Sequence, residues 1–313
     1  MSKIKTLFIV GPTASGKTAL SIRLAEKFGG EIVSADSMQI YKGIHIASAA
    51  PDVQEMQGIP HHLLEFLEPQ DCFSVADYVK AARDCISDIS SRGKLPIVVG
   101  GTGLYISSLA DNIGFNEEKT DLELRQSLEK RFDEIGAKEM LKKLADFDPE
   151  SAARLHPNNR RRIIRAFEVY KLTGKTITEQ NILSKKGEKL MDPCMIGINF
   201  RDREKLYERI NRRVDIMLKS GLLDEAKKAY QRKNGGAFQA IGHKELFGVF
   251  EGKCTLDEAA ENLKRQTRRY AKRQLTWFNR DDRIHWLYAD DNADIFAKAA
   301  EIAENFIKKE GTL

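Results

Sequence analysis

No apolar run in this 313-residue chain approaches the ~20 residues needed to cross a bilayer; the longest, such as residues 7–10 and 96–99, are short. No basic stretch leading into an apolar segment and a small-residue cleavage site opens the sequence, so a cytoplasmic protein is expected rather than a membrane-spanning or secreted one. Cysteine is scarce. Cys72, Cys85, Cys194 and Cys254 lie far apart with no Cys-x-x-Cys, and the six histidines show no metal-ligand spacing, which argues against a disulfide framework or a zinc site. Proline is also scarce, with 8 residues against 22 glycines, so collagenous and low-complexity classes are excluded. Charge of one sign is nearly absent in excess: 51 basic against 46 acidic residues leave a net charge of +5, too mild to indicate nucleic acid by itself. What remains, 42% apolar and 31% charged, is ordinary soluble usage, and the length fits one large domain or a domain with a sizeable insertion.

Strand-like runs occur at residues 4–10, 31–35, 62–66, 95–99, 195–200 and 284–288, most of them separated by helical patterns. Such alternation predicts an α/β fold, a parallel sheet with helices on both faces. Residues 17–28 read as a helix, and so do residues 75–91, started by the Ser74-to-Asp77 capping pattern and stopped at Gly93. From about residue 115 to residue 190 no strand candidate appears and the pattern is helical and charged, which predicts a helical insertion at 114–190 within a core formed by 1–113 and 191–313. Further helices are expected over residues 203–219, 222–232, 240–250, 257–278 and 292–309.

Gly11, Pro12, Thr13, Ala14, Ser15, Gly16, Lys17 and Thr18 fit Gly-x-x-x-x-Gly-Lys-[Ser/Thr] and sit between an expected strand and an expected helix. Backbone amides in such a loop point at phosphate oxygens, the helix start adds its positive end, Lys17 adds a cation, and the Thr18 hydroxyl can hold Mg²⁺. A nucleotide triphosphatase would place a carboxylate at the end of another strand, yet residues 96–99 run into Gly100-Gly101. A carboxylate does follow the second strand, where Asp36 either faces the phosphates or caps a turn. Thr102 reaches the same rim or merely belongs to a tight turn.

Residues 264–273 carry six basic side chains and no acidic one. Projected as a helix, Lys264, Arg265, Arg268, Arg269, Lys272 and Arg273 cover one half of the wheel, while Leu263, Tyr270, Trp277 and Phe278 gather on the other. The one-signed face favours phosphate binding over a plain solvated surface. Arg160 to Arg165 form a second basic cluster in the insertion.

Six segments together carry a family resemblance: Gly11 to Thr18, Ser34 to Gly43, Gly58 to Leu63, Val99 to Tyr105, His156 to Ala166 and Lys272 to Phe278. In order and spacing they resemble the tRNA dimethylallyltransferases, also called tRNA isopentenyltransferases. The resemblance implies a nucleoside-kinase-like phosphate-loop core, and transfer of a dimethylallyl group from dimethylallyl diphosphate to the exocyclic amine of the adenosine 3′ of a tRNA anticodon. It implies Asp36 as general base, Thr102 near the scissile oxygen, Arg213 and Lys17 on the diphosphate, and Thr18 with Mg²⁺. It assigns tRNA contact to Asp36, Ser37, Met38, Gln39 and Thr102, to Arg125, Arg161, Arg162, Ile163, Ile164 and Arg165 in the insertion, and to Arg268, Arg269 and Lys272. A monomer is expected. The rival readings are a small-molecule phosphotransferase, which leaves the basic helix idle, and a non-catalytic RNA-binding protein, which leaves Lys17, Thr18 and Asp36 idle. Two positions depart from the family's usual pattern: Ala50 where a lysine is common, and His243 where an aromatic hydroxyl is usual.

Overall fold

A computed structural model describes residues 3–114, 121–184, 190–232, 235–291 and 294–309. The chain divides into two compact units, Met1–Ala110 with Lys189–Leu313, and Asp111–Glu188.

In the first unit, β1 (Ile4–Val10) leads to α1 (Lys17–Phe28) and β2 (Gly30–Ser34). Two single-turn helices follow, α2 (His45–Ser48) and α3 (Val53–Met56), then a short β3 (His61–His62), α4 (Val75–Ser91), β4 (Leu95–Gly100) and α5 (Gly103–Ala110). Among the described residues six strands make one parallel sheet in the order β3-β2-β4-β1-β5-β6, with β5 at Met191–Asn199 and β6 at Ile284–Tyr288. Both faces are covered, which is why the central strands are apolar throughout rather than alternating. Phe8, Val10, Val33 and Val98 pack on one side with Tyr78 and Ile86 of α4 and Ile106 of α5; Leu7, Ile9, Ile32 and Ile97 pack on the other with Leu20 and Leu24 of α1. Gly100 ends β4 where a Cβ would overlap the Ala35 carbonyl, so only glycine lets the ends of β2 and β4 meet. That contact sets the site.

In the second unit, α6 (Leu122–Ala145) is broken at Gly136, whose φ is +78°, and α7 (Pro149–Arg154), α8 (Arg160–Thr173) and α9 (Ile177–Ser184) follow. Leu128, Met140, Leu144, Ile163, Ile164 and Phe167 form its core. Buried Asp148 ties α7 to α9, accepting from the Ser151 amide at 3.1 Å and the Thr178 hydroxyl at 2.7 Å.

The first unit then resumes with α10 (Arg203–Lys219), α11 (Leu222–Arg232), a 3-10 turn at Gly236–Gln239, α12 (Phe247–Phe250), α13 (Leu256–Phe278) and α14 (Ile295–Lys308), the last packing Ala299 and Ala303 beside α1. The expected capping box of Ser74 with Asp77 forms, and a second joins Thr255 to Glu258 at the start of α13. Three expectations need correction. The strand at 62–66 stops at His62, because Leu63 and Glu65 take left-handed φ values of 58° and 47° and their backbone turns to residues 39–41. The helix expected over 240–250 is a run of turns as far as Leu246, since Gly242 (φ +116°) lies in the left-handed region and its amide is taken by the buried Glu245 carboxylate at 2.8 Å. The strand expected from residue 195 begins at Met191 and includes Pro193, tolerated because β6 pairs only from Met195 onward and the proline has sheet on one side alone. Residues 292 and 293, where the last helix was expected to start, lie outside the described residues.

At the β3 edge, Glu31 of β2 is 6% exposed and is held by both Arg92 guanidinium nitrogens and by His62 Nε2 at 2.8 Å. The Arg92 hydrogen bonds pull its carboxyl down to about 2 against the cost of burial. A depressed acid stabilises the fold fully above its unfolded value of 4.5 and ceases to do so as pH falls towards 2. Glu31→Gln should therefore lower stability at pH 7 by about 1–3 kcal/mol. Denaturant melts at pH 7, 4 and 2.5 should show the gap between the two proteins closing with acid; a gap independent of pH would refute the ion-pair account.

Candidate functional site

The loop of residues 11–16 joins β1 to α1 beside the ends of β2 and β4. Gln274 of α13 clamps it: the side-chain oxygen accepts from the Thr13 amide at 2.8 Å, and the side-chain nitrogen donates to the Gly101 carbonyl at 3.0 Å. From α10, Arg209 donates to the Ala14 carbonyl at 2.9 Å and Arg213 reaches the Thr13 hydroxyl at 3.4 Å. Lys17 Nζ turns back on the Pro12 carbonyl at 2.7 Å. The Ser15 hydroxyl, 4% exposed as a residue, has no hydrogen-bond partner among the described residues. A buried orphan of this kind suits a loop built around phosphate oxygens.

Asp36 stands just past the end of β2, with Oδ1 accepting the Met38 amide at 2.9 Å and its other oxygen without a donor among the described residues. The carboxylate caps the turn and also lines a cavity. Thr102 lies just behind the wall, accepting from the Ser37 amide at 3.0 Å and donating to the Ser37 hydroxyl at 3.3 Å.

Charge decides what this place binds. Burial first, and then the neighbouring Arg213 guanidinium, push the Lys17 ammonium down to about 7, with Asp36 opposing. Burial likewise lowers Arg213, opposed by Asp36 and Glu55. Two desolvated cations near one carboxylate form a site whose repulsion a polyanion relieves.

Beyond the loop a cavity of about 350 Å³ opens within the first unit, running between α10 and α13. Ile210, Arg213, Val214 and Met217 lie three or four apart along one face of α10, and Leu263, Thr267, Tyr270 and Gln274 do the same on α13. The cavity thus joins the cationic loop to the apolar side chains of Ile210, Val214, Met217, Ile241 and Leu263, with Lys244 and Arg273 also on its wall. Burial, aided by Asp36, drives the Tyr270 hydroxyl well above its usual range while hydrogen bonds with Thr102 and Gln274 partly offset this. It stays a neutral donor at all ordinary pH.

The structure brings Thr13, Lys17, Thr18, Asp36, Ser37, Met38, Gln39 and Arg213 to this one cavity. Sequence reasoning missed Tyr270, Gln274, Lys244 and the apolar residues of α10, and counted Arg273 with the basic face of the helix without placing it at the cavity. Tyr270 had been placed with the core; its signal was the i, i+4 spacing to Gln274 on a helix already marked as functional. The basic face of α13 also divides. Lys264 is bound to Asp215 and Glu261, each at 2.9 Å, and half-buried Arg268 donates to Asn211 at 2.6 Å, so both help dock α13 on α10. Arg265, Arg269 and Lys272 are exposed. In the second unit Arg161, Arg162 and Arg165 are exposed, Arg165 pairing with Glu168 at 2.9 Å, and Arg125 pairs with Glu129 at 3.4 Å. Ile163 and Ile164 are 0% and 3% exposed, so their side chains belong to that unit's core and not to a surface RNA could touch.

The isopentenyl transferase family model matches residues 4–68, and the IPP transferase model matches residues 39–281. The chain belongs to the IPP transferase family. The tRNA dimethylallyltransferase of Bacillus subtilis (strain 168) is 48% identical to it over 96% of both chains. The solved full-length tRNA isopentenylpyrophosphate transferase of Bacillus halodurans superposes with a TM-score of 0.71 at 43% identity, covering 97% of this chain and 96% of that one. A solved eukaryotic dimethylallyltransferase acting on tRNA superposes with a TM-score of 0.85 at 33% identity, over 98% of this chain and 80% of its own. Among the described residues no helix is long and apolar enough to cross a membrane.

An IPP transferase whose loop lysine sits at about 7 should take up a proton on binding a polyanion, because the anion raises the ammonium's value above that of the free protein. Affinity for inorganic diphosphate should weaken as pH rises above 7. Calorimetry in buffers of different ionisation heat should show up to about one proton taken up near pH 8, and Lys17→Arg should lack this uptake. Equal uptake by both proteins would refute the assignment.

Proposed function

We propose that this enzyme transfers a dimethylallyl group from dimethylallyl diphosphate to the exocyclic amine of the adenosine just 3′ of the tRNA anticodon, releasing diphosphate. The observation that carries the reading is one cavity joining a cationic phosphate loop, a single carboxylate and an apolar wall. A phosphotransferase has no use for that wall beside its phosphates, and the names borne by the relatives agree.

In this reading the loop amides, Lys17 and Arg213 hold the diphosphate while Ile210 and Val214 receive the allyl group. As the carbon–oxygen bond lengthens, negative charge builds on the departing oxygens, and the two partly desolvated cations stabilise it more than they stabilise the ground state. The adenine amine nitrogen bonds to the allylic carbon, and its proton passes to the unoccupied oxygen of Asp36. The Met38 amide fixes that carboxylate, and Thr102, held by Ser37 and Tyr270, keeps the rim in register. The Thr18 hydroxyl is a hard oxygen donor suited to Mg²⁺. Bound there, the ion would be held by Thr18 and would supply positive charge against the diphosphate.

Adenine in an anticodon loop is stacked and must be flipped out to reach Asp36. The exposed arginines and lysine of α13, and those of α8, are suited to gripping the flanking phosphates. Work in the cytoplasm follows from this substrate.

Labelled dimethylallyl diphosphate should bind and ATP should not support phosphate transfer; the reverse would overturn the reading. Asp36→Asn should keep both substrates bound and reduce single-turnover transfer by at least ~10²-fold, so a near-normal rate would remove the base from Asp36. Replacing Arg269 and Lys272 by Gln should flatten the slope of log tRNA affinity against log salt by up to ~2 units, roughly 0.7–0.9 per phosphate contact, with folding unchanged. Arg268→Gln should instead act mainly on thermal stability, since its partner is Asn211. A slope change confined to Arg268→Gln would invert this division.

A further inference from the structure

His243 is fully buried, 0% exposed, in the turn that separates two cavity-lining residues, Ile241 and Lys244. Its Nε2 lies 2.8 Å from Oε1 of Glu225 on α11. Burial would raise the Glu225 carboxyl, but the hydrogen bonds from His243 and from the Ala47 and Ile46 amides outweigh it and hold the group below its ordinary value. An ionised carboxylate only accepts, so Nε2 carries the hydrogen of this bond. Nδ1 has no partner among the described residues, so the Glu225 contact is what orients the ring.

Glu225 spends its remaining capacity on the cavity wall. Oε2 accepts the Ile46 amide at 2.9 Å and Oε1 the Ala47 amide at 2.9 Å, the second and third amides of α2. The residue before α2, Ile44, supplies no side-chain cap, so Glu225 is what satisfies these donors. The far end of the same turn lines the cavity through Ala47, Ser48 and Ala49. The Ala49 carbonyl accepts from Gln39 at 3.2 Å and from Arg213 at 3.5 Å. A continuous line of contacts thus runs from a buried imidazole through a carboxylate and one helical turn to the guanidinium at the phosphate loop.

We propose that His243 and Glu225 are positioning residues: the imidazole orients the carboxylate, the carboxylate fixes α2, and α2 holds Arg213 where it meets the diphosphate. Neither side chain touches substrate. The inference rests on the proposed function for its kinetic readout, but not for its binding readout, which needs only inorganic diphosphate.

His243→Phe keeps an aromatic ring and removes the donor, whereas His243→Gln restores an N–H at the place of Nε2. His243→Phe should weaken inorganic diphosphate binding and raise KM for dimethylallyl diphosphate ~10-fold, and lower kcat comparably, the scale of a misplaced contact group. KM for tRNA should stay within about twofold, because the exposed cations of α13 and α8 are untouched. His243→Gln should recover most of both losses. Should the Phe variant not fold, Glu225→Gln serves instead: its amide offers one accepting oxygen where three donors converge, and the same shift confined to diphosphate is expected. Folded His243→Phe or Glu225→Gln with normal diphosphate affinity would overturn the positioning role, as would a Gln variant at 243 no better than Phe. If the unaltered enzyme binds diphosphate but transfers no dimethylallyl group, the proposed function fails and the binding comparison still decides the positioning role.

Discussion

Two half-buried cations are desolvated beside each other past the end of β1, and the phosphate loop is arranged around their repulsion. Lys17 and Arg213 come from segments nearly two hundred residues apart, and each is desolvated beside the other with Asp36 as the near counter-charge. An unliganded protein bears that cost only because the fold leaves neither side chain an escape. The Pro12 carbonyl catches one, and Thr13 with the Ala49 carbonyl catches the other. What destabilises the empty site is the same interaction that binds a polyanion, and binds it more strongly as its charge concentrates on a leaving group.

Two helices carry this arrangement, and each does so on one face. α10 delivers Arg209 and Arg213 to the loop and Ile210, Val214 and Met217 to the apolar wall. α13 delivers Gln274 to the loop and Tyr270 to the Asp36 side, and its opposite surface carries the exposed Arg265, Arg269 and Lys272. Lys264 and Arg268, which look like part of the same positive stripe, are spent on Asp215, Glu261 and Asn211 to keep α13 on α10. Charge on a helical wheel is a count of side chains; what they do depends on the neighbour that the wheel does not show.

The strand pattern, the phosphate loop and most helix bounds were legible because they rest on local signals: apolar runs, capping boxes and glycines at fixed offsets. Residues 203–219 and 17–28 even form helices over the expected spans. Non-local contacts were not legible. Nothing in residues 240–250 announces that Gly242 turns back so that His243 can meet Glu225, nor that Ile163 and Ile164, inside a basic motif, face a core rather than RNA. Tyr270 shows the same limit: an aromatic at helical spacing reads as core until its hydroxyl is seen beside Thr102.

The edge strand β3 has a further consequence, for the behaviour of the molecule in a crowded solution. A sheet that ended in a long flat strand would offer its unpaired amides and carbonyls to any extended segment of another chain. Here the ladder beyond β2 has two residues, and the left-handed Leu63 and Glu65 swing the chain away immediately afterwards. At this edge the sheet stops before it can serve as a template, so strand-to-strand growth past β3 finds almost no backbone on which to start.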